Sequence, residues 1–418
     1  MIVLLFYIAA FVIAFAAVSV VRSRLAERRD FTSLKTVTFG DESAVRPDRA
    51  ASIISILVIF LLWGAFTGSV ISPLHMPGPF SGETEFSYTA EDASGARDTA
   101  TIHVIVHEVG ADPGAPEIEA GDGFAKNDTA AVAMWRSELI RAVGNDDGEE
   151  VRVVEVMGRP IEPEGTVDVP NGSVTMTAKG SLNFTPARGM QMEPIWLPSP
   201  EAVLSRLLEI AGNGYQNFTL FEHVFWSLIR VIVGFAAGAL VGIPLGYAMG
   251  LSGWFRGWFD PIVEFMRPVP PLALIPLVII WFGIWETGKI TLLFLASLWI
   301  MIIAARAGVS GVNITKIHAA YSLGASRMQI LRYVIIPNSL PEIFTGARVA
   351  MGVCWGTVVA AELVAAQKGV GMMIIAASKF QQTDIVVMGI VLIGIIGYSI
   401  DILMRRAELW LVPWKGRA

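Results

Sequence analysis

Seven apolar runs with almost no charged residue constrain this chain more than any other feature of its 418 residues. They cover residues 1–21, 51–71, 231–250, 268–285, 290–305, 349–361 with its flanks, and 385–400. A helix of about 20 residues crosses a hydrocarbon core of about 30 Å, so each run predicts a membrane span. Lipid offers the backbone no hydrogen-bond partner, which leaves a bundle of helices as the fold. Composition agrees, with 54% hydrophobic residues before 40 glycines are counted and only 16% charged. Soluble domains run about 45–50% apolar with glycine included and about 25% charged, which argues against a water-soluble enzyme. The one cysteine, Cys354, permits no intrachain disulfide and reads as a small core residue.

Charge is unevenly placed. Of 37 acidic and 31 basic residues, 21 and 8 fall within residues 73–196, leaving 16 and 23 for the rest, so that window carries −13 and the remainder +7. The first run lacks a basic segment before it, and Arg22, Arg24, Arg28 and Arg29 follow it. It therefore reads as a retained anchor rather than a cleaved signal. Lys and Arg in short loops stay on the cytoplasmic side. With residues 22–49 inside, alternation puts Arg256, Arg267, Arg306, Lys316, Arg327, Arg332, Arg348, Arg405, Arg406, Lys415 and Arg417 inside too. The opposite loops keep mainly Lys289, Lys368 and Lys379. The expected orientation is N-terminus outside and C-terminus in the cytoplasm, with the acidic window outside, since long domains cross regardless of charge.

Within that window the periodicity changes to two. Residues 84–90, 99–107, 151–157, 173–177 and 181–185 are five strand candidates, with turns at Asp92, Ser94 and Gly95 and at Lys179 and Gly180. They predict an antiparallel β-sandwich. Its wording resembles bacterial cadherin-like or immunoglobulin-like repeats with the last hairpin placed first, which implies a circularly permuted domain. Residues 109–123 would join the old ends, reaching on the order of 50 Å when extended. The acidic residues Asp146, Asp147, Glu149, Glu150, Asp92 and Asp98 suit a solvated face, with calcium, which favours oxygen ligands, as the sharper alternative.

The segment 313–342 carries the most specific pattern. His318, Ala319 and Ala320 are followed after three residues by Gly324, then after nine by Val334, then by Ile336 and Pro337. Two short helices are expected: the first ending at Gly324 in a left-handed cap, the second starting at Ser326 with Gln329 as a capping box. Pro337 is expected to stop the second, and Ser339 with Glu342 to cap the next span. This spacing resembles the Glu-Ala-Ala loop of binding-protein-dependent ABC importer permeases, with His318 where that family has glutamate. The resemblance extends over residues 197–418 and the second span, and is nearest the permeases for taurine, alkanesulfonates and nitrate, through residues 197–204, 260–289 and 360–374.

On that resemblance the fold class is an α-helical polytopic core of type I importer architecture, six spans plus one extra N-terminal span, carrying the inserted sandwich. Residues 1–50 would be the extra anchor and basic loop, 51–72 the first core span, 73–196 the insertion and 197–418 the permease core. The resemblance implies a non-enzymatic transport subunit in the inner membrane, present as a homodimer. Its partners would be two ATPase subunits, which bind ATP and Mg, and a periplasmic solute-binding protein, with no nucleic acid involved. No GxxxxGK[ST] loop occurs in this chain, in keeping with hydrolysis elsewhere. A membrane-anchored adhesin would leave the loop and six spans idle, and a secondary transporter would want more intramembrane carboxylates.

Several residues stand out inside the core. Gly234, Gly238, Gly242, Gly246 and Gly250 form a bare stripe suited to close helix packing. Pro268, Pro270, Pro271 and Pro276 break a span near its start, as an element lining the pathway or as a kink relieved by neighbours. Arg230 and Glu362 are the ionisable residues nearest the outer half of the membrane; Glu362 is expected to snorkel to the interface and Arg230 to face the path of an anion. Ser199 and Pro200 should start an amphipathic helix through Leu204, Leu207 and Leu208 that stops at Gly212 and Gly214.

Overall fold

The computed structural model describes residues 2–26, 49–111, 113–114, 118–119, 121–148 and 150–414. Arg28, Arg29, Glu149, Lys415 and Arg417, which entered the charge argument, lie outside the described residues. The chain forms two units, Met1–Pro200 and Glu201–Ala418.

The first unit begins with two apolar helices, α1 (Ile2–Ala26) and α2 (Arg49–Thr67). The Tyr7 hydroxyl of α1 meets Ser72 Oγ at 2.6 Å just beyond α2, and Ser72 Oγ donates in turn to Leu61 O at 3.1 Å. Nine strands follow: β1 (Gly82–Glu91), β2 (Arg97–His107), β3 (Asp128–Ala133), β4 (Glu138–Ile140), β5 (Arg152–Val156), β6 (Arg159–Pro160), β7 (Thr166–Val169), β8 (Gly172–Met176) and β9 (Leu182–Pro186). They make a five-stranded sheet in the order β3-β2-β1-β5-β6 and a four-stranded sheet in the order β4-β9-β8-β7. Alternate residues of both sheets enter one apolar core, where Phe86 of β1 stacks on Phe184 of β9 at 5.7 Å.

The chain enters and leaves this two-sheet domain side by side. Phe80 N donates to Ala187 O at 2.9 Å, Met190 N to Pro77 O at 2.7 Å, and Met192 N to Phe66 O at 2.8 Å at the end of α2. One expectation is corrected: the sheets are not wholly antiparallel, because β3 pairs with β2 in parallel from Ile102↔Asp128 to His107↔Ala133. A parallel neighbour requires the chain to run back along the strand, and the segment between His107 and Asp128 makes that return.

The second unit is helical: α3 (Pro200–Asn213), α4 (Leu220–Leu251), α5 (Gly253–Met266), α6 (Ile275–Phe282), α7 (Glu286–Ser310), α8 (Ile314–Ser322), α9 (Arg327–Ile330), α10 (Ile336–Ala365), α11 (Val370–Lys379) and α12 (Thr383–Leu411). Among the described residues of both units, six helices are long and apolar enough to cross a membrane, and one bent helix pair would make a seventh. That pair corrects the expected span at 268–285. α5 and the segment Pro271–Phe282 meet at 92°, because Pro268, Pro270 and Pro271 fall between them and leave only a 3-10 turn, Pro271–Leu274, before α6.

Helix directions follow from the packing. Gly234 faces Leu293 and Gly250 faces Val309, so α4 and α7 run parallel. The bent segment between them must therefore carry the chain back. Val263 packs with Ile302 toward one end of α7, and Val278 packs with Leu292 toward the other. α10 is antiparallel to α7, with Ser339 against Gly308 and Cys354 Sγ donating to Leu293 O at 3.4 Å. α3 forms where expected and is two-faced, with Val203 and Ile210 buried and Leu204 and Leu208 exposed. Gly214, with φ +77°, ends that helix, its N–H bonding Ile210 O at 2.9 Å.

Candidate functional site

The segment 313–342 joins α7 to α10. Asn313 caps α8 by accepting from Thr315 N at 2.8 Å. The helix closes with Leu323 N bonding Ala319 O and Gly324 N bonding Tyr321 O, and Gly324 takes φ +80°. A Cβ there would meet no atom of this chain within 4 Å, so the demand for glycine is conformational within the chain. Ser326 and Gln329 form the reciprocal capping box that opens α9.

Two expectations fail at the next step. Pro337 does not stop the helix, and Ser339 with Glu342 does not cap a new one. The chain instead passes through a π-helical turn, Leu331–Ile335, with Ile336 N reaching Leu331 O, directly into α10. Pro337 falls in the first turn of α10, a position where proline is common. Ser339 lies inside α10, donates to Ile336 O at 2.9 Å and bonds the Tyr247 hydroxyl of α4. Pro341 offers no N–H to Pro337 O, and Trp414 Nε1 donates there instead at 3.1 Å.

One side of this segment is anchored and the other is bare. Ala320 and Val334 pack on the cluster of Val309, Ile330 and Ile335. His318 and Ala319 are exposed, beside Tyr321, Leu323, Met328 and Tyr333, and Ile336 is just over a third exposed. Large apolar side chains in water next to Arg327 and Arg332 form a surface suited to a partner.

The glycine stripe of α4 lies against α7. A Cβ on Gly242 would fall 2.9 Å from Leu298 O, on Gly246 2.5 Å from Ile302 O, and on Gly250 2.8 Å from Val309 Cβ; Gly234 and Gly238 are closer still to Leu293 and Ser297. From Gly234 to Gly246 the backbone of α7 lies within about 3.3 Å of where a Cβ would sit, and at Gly250 the Val309 side chain fills that place, so each position favours glycine.

At the other end of these helices the structure brings Arg230 and Glu362 together. Arg230 Nη1 donates to Glu362 Oε1 at 2.7 Å, while Nε and Nη2 grip both oxygens of Glu286 at 2.6 and 2.8 Å. Lys289 Nζ donates to Glu286 Oε1 at 3.0 Å. Glu362 also accepts from Ser227 Oγ at 2.8 Å and from Gly371 N at 2.9 Å. Ser227 Oγ accepts from Val370 N, and His223 Nδ1 accepts from Gly369 N. Two cations and two carboxylates thus form a neutral, satisfied network, as buried charge demands.

Both expectations for these two residues are corrected here. Glu362 does not snorkel: it is 1% exposed, because Arg230, Ser227 and a backbone N–H replace water. The guanidinium of Arg230 is likewise 1% exposed and already committed to two carboxylates, so it offers no free charge to an anion. Pro270, Pro271 and Pro276 sit apart from this network, in and beside the 3-10 turn.

Sequence reasoning missed Glu286, Lys289, Ser227 and His223. A signal existed for the first two, since Glu286 and Lys289 are three apart at the mouth of an apolar run, where an i,i+3 ion pair forms on a helix. Nothing local marks Ser227 or His223 as part of this network, because their partners in it, Glu362 and Gly369, lie more than 130 residues away.

Parallel and antiparallel apolar helices, a broken span and an ion network centred on the buried Arg230 and Glu362 define a polytopic helical membrane bundle. Residues 220–411 match the family described as binding-protein-dependent transport system inner membrane component. The taurine transport system permease protein TauC of Escherichia coli (strain K12) is 45% identical over 258 residues, 62% of this chain and 92% of that protein. The putative aliphatic sulfonates transport permease protein SsuC of the same organism is 38% identical, over 51% of this chain and 81% of that protein. The nitrate import permease protein NrtB of Synechocystis sp. is 31% identical, over 52% and 81%. The chain belongs to this family of multi-pass inner-membrane permeases of ABC importers, in its taurine, sulfonate and nitrate branch.

Proposed function

We propose that this chain is the transmembrane subunit of an ATP-driven importer that receives a small anionic solute, of the taurine, alkanesulfonate or nitrate kind, from a periplasmic binding protein. The observation that carries this reading is the 45% identity to a taurine permease across 92% of that protein's length. On this reading the segment 313–342 is the coupling loop, and its exposed face of His318, Ala319, Leu323 and Met328 docks into the ATPase subunit. Gly324 supplies the left-handed turn that presents this face. One such loop per chain and two nucleotide sites per transporter make the working assembly a homodimer with two ATPase subunits, which hold ATP and Mg.

The basic residues at this end, Arg306 of α7 and Lys316, Arg327 and Arg332 of the loop, support its cytoplasmic placement, with the C-terminus inside and the N-terminus outside. The acidic two-sheet domain then lies in the periplasm as an immunoglobulin-like insertion. His318 in place of the family's glutamate replaces a carboxylate with a ring that donates or accepts a hydrogen bond. The test is purification from native membranes under mild detergent, with identification of the co-purifying chains. An ABC ATPase and a solute-binding protein are expected; their consistent absence overturns the reading, and the binding protein's ligand identifies the solute.

A further inference from the structure

α7 and α10 form an antiparallel hairpin whose bend is the segment 313–335 and whose open end, where Leu292 packs with Ala361, is bridged by one charged side chain from a third helix. Arg230 of α4 holds Glu286, the first residue of α7, with two donors, and Glu362, three residues from the end of α10, with a third. About 26 residues of helix, roughly 39 Å at 1.5 Å per residue, separate Glu362 from the start of α10. The planar guanidinium is suited to this: it presents several donors in one fixed fork and can satisfy two carboxylates from different helices at once, where a lysine ammonium acts as a point charge.

We propose that Arg230 is a positioning residue for transport, a shared pin that holds the tips of α7 and α10 together and releases the α7 tip when the bend is displaced. The inference rests on the importer reading of the preceding subsection. The two arms of the pin are unequal. Glu362 has a fully buried side chain and is held by Ser227 and Gly371 N as well, so its contact with Arg230 has no substitute in water. Glu286 is 44% exposed and keeps Lys289 at 3.0 Å when Arg230 lets go. The carboxylate that parts is therefore Glu286, and α7 moves at its tip while α10 stays pinned to α4.

The experiment uses the full permease with its ATPase and binding protein in proteoliposomes, comparing Glu286→Gln, Glu286→Asp and Arg230→Lys with the parent. It measures the ATP hydrolysed per solute imported, together with the amount of ATPase bound. Glu286→Gln removes the charge of the exposed arm and should raise the ratio several-fold, with hydrolysis losing its dependence on the loaded binding protein. Arg230→Lys should do the same, Glu286→Asp should restore coupling, and ATPase binding should stay unchanged throughout. A Glu286→Gln protein that couples as tightly as the parent overturns the proposal, as does one that fails to assemble, since Glu286 would then be only structural. If the parent itself binds no ATPase and imports nothing, the importer reading fails instead.

Discussion

The two-sheet domain and the helical unit both carry arginines shared between two carboxylates, and they use them in opposite settings. In the domain, Arg97 bonds Glu91 and Glu155 at 3.0 and 3.1 Å and is 55% exposed. In the helical unit, Arg230 bonds Glu286 and Glu362 and is 1% exposed. The first arrangement is screened by water and salt and contributes little to stability. The second is held by nothing but its partners, and removing one leaves a charge buried without compensation. The difference shows that the same side-chain pairing is ornament in one region and a constraint on helix positions in the other.

Glu362→Ala should break this contrast most severely. It leaves Arg230 and Lys289 to share the single carboxylate of Glu286, one buried positive charge uncompensated at a cost of about 3–5 kcal/mol, so the yield of folded, detergent-solubilised permease should fall sharply. Removing Glu91 from the domain, by contrast, should leave the thermal transition where it is. Gly246→Leu comes next: its Cβ would fall 2.5 Å from Ile302 O and 2.6 Å from Ala305 Cβ, so α4 and α7 must separate. Overpacking of this kind costs about 1–3 kcal/mol and should lower the melting temperature of the helical unit.

A third prediction concerns a polar centre inside the domain. The Tyr88 hydroxyl is buried against Lys126 O, Ala142 O and Asp146 Oδ1, and burial pushes its pKa up. Asp128 lies beside it, and burial together with the charge of Asp146 pushes its carboxyl up to about 7. A carboxyl whose pKa is raised on folding adds stability that is complete below its unfolded value and is lost as pH rises through the folded one. The domain should therefore be on the order of 2 kcal/mol more stable near pH 4 than near pH 8. Asp128→Asn should flatten that dependence in thermal melts; a domain that gains stability with rising pH would contradict the assignment.

Within the helical unit, the smallest effect on folding among these changes is expected at Gly324. Leu in its place must adopt φ near +80°, a strain of about 1–2 kcal/mol confined to an exposed turn, so the melting temperature should move little. Docking should nevertheless suffer, because the added side chain projects from the bare face. Loss of ATPase in co-purification with an unchanged melt is the expected pair of results.

Legibility in the sequence followed the physics of each region. In the domain, alternation marked β1, β2, β5, β8 and β9, because one face of each strand meets water and the other the core. The strand β3, reading DTAAVA, escaped notice since alanine has little β preference, and with it went the parallel pairing. Membrane helices lack such alternation, as lipid and core are both apolar. What remained legible there were exceptions to apolarity: the stripe from Gly234 to Gly250, the prolines of the broken span, and Arg230 with Glu362. Their roles were misread where the deciding partner was remote, as for Glu362. The capping signals at Gly324, Ser326 and Gln329 were readable because they are local, whereas the π-helical turn that overrides Pro337 depends on continuity with α10.

The most direct test of the importer account is uptake by the purified permease, with its ATPase and binding protein, in sealed proteoliposomes. The account predicts accumulation of a small sulfonate or nitrate-like anion that requires ATP on the side of the 313–342 segment and stops when the ATPase is omitted. Accumulation without ATP, or driven by an ion gradient alone, would contradict it.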